Sequence, residues 1–154
     1  MNDPVRLLIL NDIVSKYEAV DVDPWGLKFS TVELGPLGDP DQRKQYSVGV
    51  VPGPEKNGFE FPYAMVFLKV DVEFRVTANR GDAKPGILGE RALGVVKQVL
   101  LDDRQLSGQA IDTKITGSEV DLQTYADRSI VGVVHFEVQY RTSHSDVYSQ
   151  TPSV

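Results

Sequence analysis

Hydrophobic and polar residues alternate over two long stretches of this chain. From Tyr63 to Ala78 it reads YAMVFLKVDVEFRVTA, with Val66, Leu68, Val70, Val72, Phe74 and Val76 on every second position and Lys69, Asp71, Glu73 and Arg75 between them. A period of two is that of a strand with one face in a core and the other polar. Ser129 to Thr142 repeats the scheme, with Ile130, Val134, Phe136, Val138 and Tyr140 set against His135, Glu137, Gln139 and Arg141. The two stretches are expected as neighbouring central strands of one sheet.

Helical spacing occurs twice. Asp3-Pro4 predicts a helix start, an N-cap side chain followed by a residue with no N–H to leave unpaired. Val5, Leu8, Ile9, Ile13 and Tyr17 then recur on one stripe, which predicts a helix to about Ala19. A second stripe, Leu88, Ala92, Val95, Val96 and Val99, predicts a helix over 87–102 despite Gly89 and Gly94, which cost about 1 kcal/mol each. Its stability must come from packing, and the apolar face of the sheet is the natural partner. Residues 109–116 alternate weakly as a further strand that 117–122 continue or end. The polar tail, 143–154, is expected to fray.

Between Pro24 and Pro62 the texture changes, since six of the nine prolines and six of the thirteen glycines fall there. Short strands at Leu27–Glu33 and Tyr46–Val51 fit between turn-rich runs such as VPGPEKNG. This segment reads as a loop-rich insertion or a β-hairpin on the sheet edge.

Composition narrows the function classes. A chain of 154 residues suits a single domain over 1–154, and 41% hydrophobic with 25% charged residues is ordinary for a packed protein. The expected fold class is α+β, a mainly antiparallel sheet with two helices packed on one face. No cysteine is present, which excludes disulfides and thiolate metal sites and fits synthesis in a reducing cytoplasm. No apolar run approaches the roughly 20 residues that span a bilayer, and MNDPVRLLILND lacks a signal peptide's cationic start and cleavage site. No membrane partner is expected. The net charge of −6 argues against general adhesion to nucleic acid.

Candidate chemistry is sparse. Asp71 and Glu73 on one strand and Asp112-Thr113-Lys114 on a neighbouring one hold the residue types of a D…(D/E)xK metal-dependent nuclease, in which acids hold Mg²⁺ and a lysine helps activate water. Asp82-Ala83-Lys84 matches that pattern equally well, and solvated strand charges paired with Lys69 and Arg75 account for the residues without chemistry. His135 and His144 are the only histidines, separated by about 30 Å of extended chain at ~3.3 Å per residue. No metal site is expected from them. Ser143-His144-Ser145-Asp146 has the residue types of a catalytic triad, but triads assemble from distant segments. Arg80-Gly81-Asp82 reads as a turn. No phosphate-binding glycine loop stands in a strand–helix setting, so no nucleotide cofactor is expected. The aromatics Trp25, Phe29, Tyr46, Phe59, Phe61 and Tyr63 lack the interleaved cations of a base-stacking platform and are expected to cover core or an interface.

The second half of the chain resembles the tail terminator (tail completion) proteins of long-tailed bacteriophages. The matching pieces are the strand Val66–Val76, the helix Gly89–Leu101, the turn Asp103-Arg104-Gln105-Leu106-Ser107-Gly108 as D-x-x-L-x-G, and the last strand VVHFEVQYRT over Val133–Thr142. Together they cover roughly residues 63–146, and an N-terminal helix agrees as well. Asp-Pro often follows Tyr-Arg-Thr in that family; here Asp146-Val147 stands instead, and residues 24–62 match nothing in it.

The resemblance implies six copies in a ring that caps the finished tail tube, halts its polymerisation and faces the head connector at the head-proximal end of a virion. Its partners would be further copies of itself, the tail tube protein and the connector or neck protein. Such a role is not enzymatic and needs no cofactor. Six copies would carry six times the −6, and an acidic lumen would let DNA pass without sticking. Lys69, Asp71, Glu73, Arg75, His135, Glu137, Gln139 and Arg141 are the candidate subunit or tail-tube interface, because subunit contacts need complementary charges. A related neck or head–tail joining protein, or a small metal-dependent hydrolase, are the alternatives.

Overall fold

A computed structural model describes residues 3–22, 26–38, 45–60, 63–78, 84–121 and 129–150, with backbone only at 59 and 60. Strands β3 (Tyr63–Thr77) and β5 (Ser129–Ser143) lie antiparallel side by side, in unbroken register from Tyr63↔Ser143 to Thr77↔Ser129. With β1 (Thr31–Leu34), β2 (Tyr46–Glu60) and β4 (Asp112–Asp121) they form one sheet in the order β1-β2-β3-β5-β4, antiparallel throughout except for β1 on β2. With helices α1 (Val5–Glu18) and α2 (Pro85–Leu101) the chain is α+β, as the alternation predicts.

The even-numbered apolar residues of β3 and β5 face the core. Leu68, Val70, Val72 and Phe74 meet Val134, Phe136 and Val138 there, joined by Val48 and Val50 of β2, Ile9, Ile13 and Tyr17 of α1, and Ala92, Val96 and Leu100 of α2. The two helices also touch each other, and the buried Tyr17 hydroxyl donates to the Val96 carbonyl at 2.7 Å. Burial pushes that phenol well above its ordinary range. Gly89 lets α2 settle on the sheet, since a Cβ there would stand 3.1 Å from Ile130.

Several expectations need correction. The α1 cap is Pro4, with no side-chain cap bond, and Asp3 does not serve; the Val5 N–H is taken instead by the Val147 carbonyl at 3.1 Å. Leu8 is largely exposed while Leu10 is buried. Positions 8 and 10 flank Ile9 at about 100° on either side, and packing selected the second. Val99 of α2 is partly buried beside a fully buried Leu100.

The run VPGPEKNG is strand. β2 continues through it to Glu60, with an irregularity between Pro52 and Glu55. β1 covers only Ser47–Val50, and among the described residues no further strand pairs with the outer edge of β2, where proline forfeits no ladder bond. Because β1 and β2 run parallel, 24–62 is not a hairpin with itself; β2 pairs in antiparallel fashion with β3. The polar tail is tied down as far as Gln150, by Ser143 N–H to the Ser149 carbonyl at 2.7 Å and by the Gln150 amide to the Gln109 carbonyl. Residues 151–154 lie outside the described residues.

The turn 103–108 explains its own sequence. Asp103 accepts the Ser107 N–H at 2.9 Å, Leu106 plugs the core fully buried, and Leu106, Ser107 and Gly108 follow at φ 49°, 60° and 85°. Lys16 of α1 reaches Asp103 at 2.9 Å and Asp12 at 3.3 Å, fastening the turn to the first helix. Lys16 lowers the Asp103 carboxyl, helped by the Ser107 N–H.

Candidate functional site

Both helices pack on the even-numbered side of β3, which leaves the odd-numbered side as an open face. The register places all eight candidate interface residues on it: Lys69, Asp71, Glu73 and Arg75 of β3 lie opposite Glu137, His135, Val133 and Val131 of β5, with Gln139 and Arg141 further along. What each side chain touches is more specific than a mixed polar surface.

At the centre, His135 Nδ1 lies 2.6 Å from Asp71 Oδ1, and its Nε2 lies 3.7 Å from Glu119 Oε1 of β4. The Asp71 hydrogen bond raises the imidazole pKa, against some opposing desolvation, with Glu119 adding to the rise. Lys114 reaches Glu137 at 3.3 Å, and Arg104 grips Asp112 through Nε at 2.9 Å and Nη2 at 3.0 Å. The Arg141 guanidinium sits 4.8 Å over the Tyr63 ring, and the Gln139 amide donates to Met65 Sδ at 3.3 Å.

Glu73 and Arg75 are engaged by the chain itself. The segment after β1 crosses the open face above Gly49, where a Cβ would come within 2.6 Å of the Gly35 carbonyl oxygen. Glu73 accepts the Leu37 N–H at 3.3 Å, and Arg75 donates to the Gly38 carbonyl at 3.0 Å. A hollow of about 530 Å³ remains beside this crossing, walled by Glu73, Glu119 and Asp121 with Arg75 among them and floored by Val131 and Val133.

The nuclease pattern does not assemble as the sequence suggested. β4 neighbours β5 and not β3, so a whole strand separates Asp112 and Lys114 from Asp71 and Glu73. Asp112 is held by Arg104, Lys114 by Glu137 and Asp71 by His135. Among the described residues no group of three His, Asp or Glu is placed to hold a metal ion. Asp146 accepts the Tyr148 N–H at 2.9 Å in a turn. Arg80-Gly81-Asp82, Asp82-Ala83, Trp25 and Phe61 lie outside the described residues. Phe29 and Tyr46 are core, edge-on to each other at 6.4 Å, with Tyr17 against Phe29 at 6.0 Å.

Sequence reasoning missed the apolar residues of this face and its β4 contribution. Met65, Phe67, Val131 and Val133 share the open face by register and are only partly buried. Their odd numbers in the alternation were the available signal.

The fold has a counterpart among solved structures. A chain in the virion of a native gene transfer agent particle superposes with a TM-score of 0.50 over 86% of this chain and 93% of that one, at 11% identity. The two share a fold. The sheath/tube terminator of an extracellular contractile injection system, in its extended state, matches 97% of this chain and 60% of its own length at 12% identity, but its TM-score of 0.32 carries no argument. No family model and no curated protein matches the chain. No described helix is long and apolar enough to cross a membrane.

Proposed function

We propose that this chain is a structural component of a phage-type tail: a terminator of which six copies ring the head-proximal end of the tail tube, stop its growth and offer a surface to the head connector. One observation carries the reading. The four segments that resemble tail terminators fold in chain order as β3, α2, the 103–108 turn and, after β4, the last strand β5, and the fold of the chain is shared with a chain of a gene transfer agent virion. The open sheet face supports it, being a surface of charged and apolar side chains that neither helix covers, suited to an assembly contact. No reaction is needed for such a role. DNA would pass the ring without specific binding, the chain being acidic overall.

Imaging particles by electron microscopy tests the reading. The chain is expected as a six-fold ring between tube and connector. A ring of another order removes the hexamer, a position inside the neck favours a head–tail joining protein, and absence from the particle removes the role. Incubation with DNA or RNA and Mg²⁺ or Mn²⁺ is expected to give no cleavage; cleavage lost on Asp71→Ala or Asp112→Ala would restore the hydrolase.

A further inference from the structure

We infer that the open face is divided into an acidic half and a basic half, and that it docks a second copy of this chain by setting the acidic half of one against the basic half of the other. The register makes the division. Towards the Arg75 end, Glu33, Asp71, Glu73, Glu119 and Asp121 face outward with one cation, Arg75, a net of −4 among the described residues with His135 neutral. Towards the Met65 end, Lys56, Lys69, Lys114 and Arg141 share the face with Asp112 and Glu137, a net of +2 among the residues whose side chains are described, while Arg104 neutralises Asp112.

Each half also has an apolar centre. Val133 lies between Glu73 and Glu119 and Val131 between Arg75 and Asp121, and Met65 and Phe67 lie among the cations. Two patches with like centres and opposite rims fit each other, and neither fits itself. The hollow of about 530 Å³ in the acidic half has the chemistry to receive an ammonium group on an apolar stem, and Lys69 and Lys114 are exposed in the basic half. The contact supplies a chemistry for the subunit joints of the proposed ring and rests on that reading only for the ring; pairing of the halves is a property of the chain alone.

Analytical ultracentrifugation of the purified full chain tests it, with thermal melts to establish that each variant folds. The wild type is expected to self-associate, less so as NaCl is raised from about 0.05 to 0.5 M, because exposed charges are screened beyond a Debye length. Lys69→Glu/Lys114→Glu makes both halves acidic, and Glu33→Lys/Glu119→Lys/Asp121→Lys turns the acidic half basic. Each variant alone is expected to associate at least about tenfold more weakly, since like charges then oppose each other. Mixed one to one, the two are expected to recover wild-type association. A wild type monomeric at about 1 mM, folded variants that associate unchanged, or a mixture that fails to recover would each overturn the inference. A self-associating chain absent from tails would sink the terminator and leave this contact standing.

Discussion

Gly132→Ala is expected to destabilise the fold, although in a strand a glycine normally costs stability. Gly132 is the direct partner of Phe74 across β5 and β3, and the Phe74 ring, fully buried, lies over it. A Cβ at 132 would stand 2.6 Å from Phe74 Cε1, 3.0 Å from Cε2 and closer still to Cζ. Carbon atoms in contact sit about 3.5–4.0 Å apart, so the ring must retreat by roughly 1 Å into a filled core. Overpacking of that kind costs about 1–3 kcal/mol, against about 0.5–1 kcal/mol gained by removing a glycine. The net loss is about 1–2 kcal/mol, or roughly 2–8 °C in Tm for a chain of this length. Urea unfolding of wild type, Gly132→Ala, Phe74→Leu and the double variant completes the test. Phe74→Leu empties space over position 132, so Gly132→Ala should cost less in that background, with a coupling of about 0.5 kcal/mol or more. A stabilising Gly132→Ala, or strictly additive effects, would refute the packing argument.

Thr113→Val is expected to raise stability by about 1–3 kcal/mol by chemical denaturation, because the Thr113 hydroxyl is fully buried on the core side of β4 without a partner among the described residues. Gly94→Ala should raise it by about 0.5–1 kcal/mol in the same assay, since Gly94 is mid-helix and a Cβ there meets nothing within 4 Å. His135 should titrate above its ordinary 6.5 by NMR and fall back in Asp71→Asn. Because its folded pKa is raised, its stabilising contribution is fully present below the unfolded value and lost as pH rises through the folded one. His135→Gln should therefore lower Tm more at pH 6 than at pH 8.5.

The two central strands, both helices and the fold class were legible because each has a clean period and its apolar residues are numerous. What could not be read was register. Nothing in the sequence says that Asp71 meets His135, or that β4 lies beyond β5 and away from β3, since any even shift preserves the same alternation. The prolines of VPGPEKNG pointed to a turn for sound local reasons; the deciding fact, that β1 stops at Leu34 and no other described strand pairs with the outer edge of β2, is tertiary. The first helix shows the same limit on a smaller scale, since only packing distinguishes Leu8 from Leu10.

The division of the open face into charged halves depends on two breaks in strand regularity. In β4, unbroken alternation from Lys114 would turn Thr116, Ser118 and Val120 outward and bury Glu119. The irregularity between Ile115 and Gly117 reverses this, so that Glu119 and Asp121 face out opposite Val133 and Val131 while Val120 packs against the core. In β2, unbroken alternation from Val51 would bring Glu55 among the cations. The shift between Pro52 and Glu55 instead sets Lys56 opposite Phe67 on the open face, and sends Glu55 to the other side to meet Arg6 at 2.8 Å and the Tyr140 hydroxyl at 2.9 Å. Each bulge thus removes a charge of the wrong sign, or adds one of the right sign, in the half where it stands. The β4 irregularity also spares the core, since without it Glu119 would be buried and Val120 exposed. In β4 one local device thus serves folding and surface patterning together, whereas in β2 the shift sets the surface charge and leaves Glu55 to be paired by Arg6.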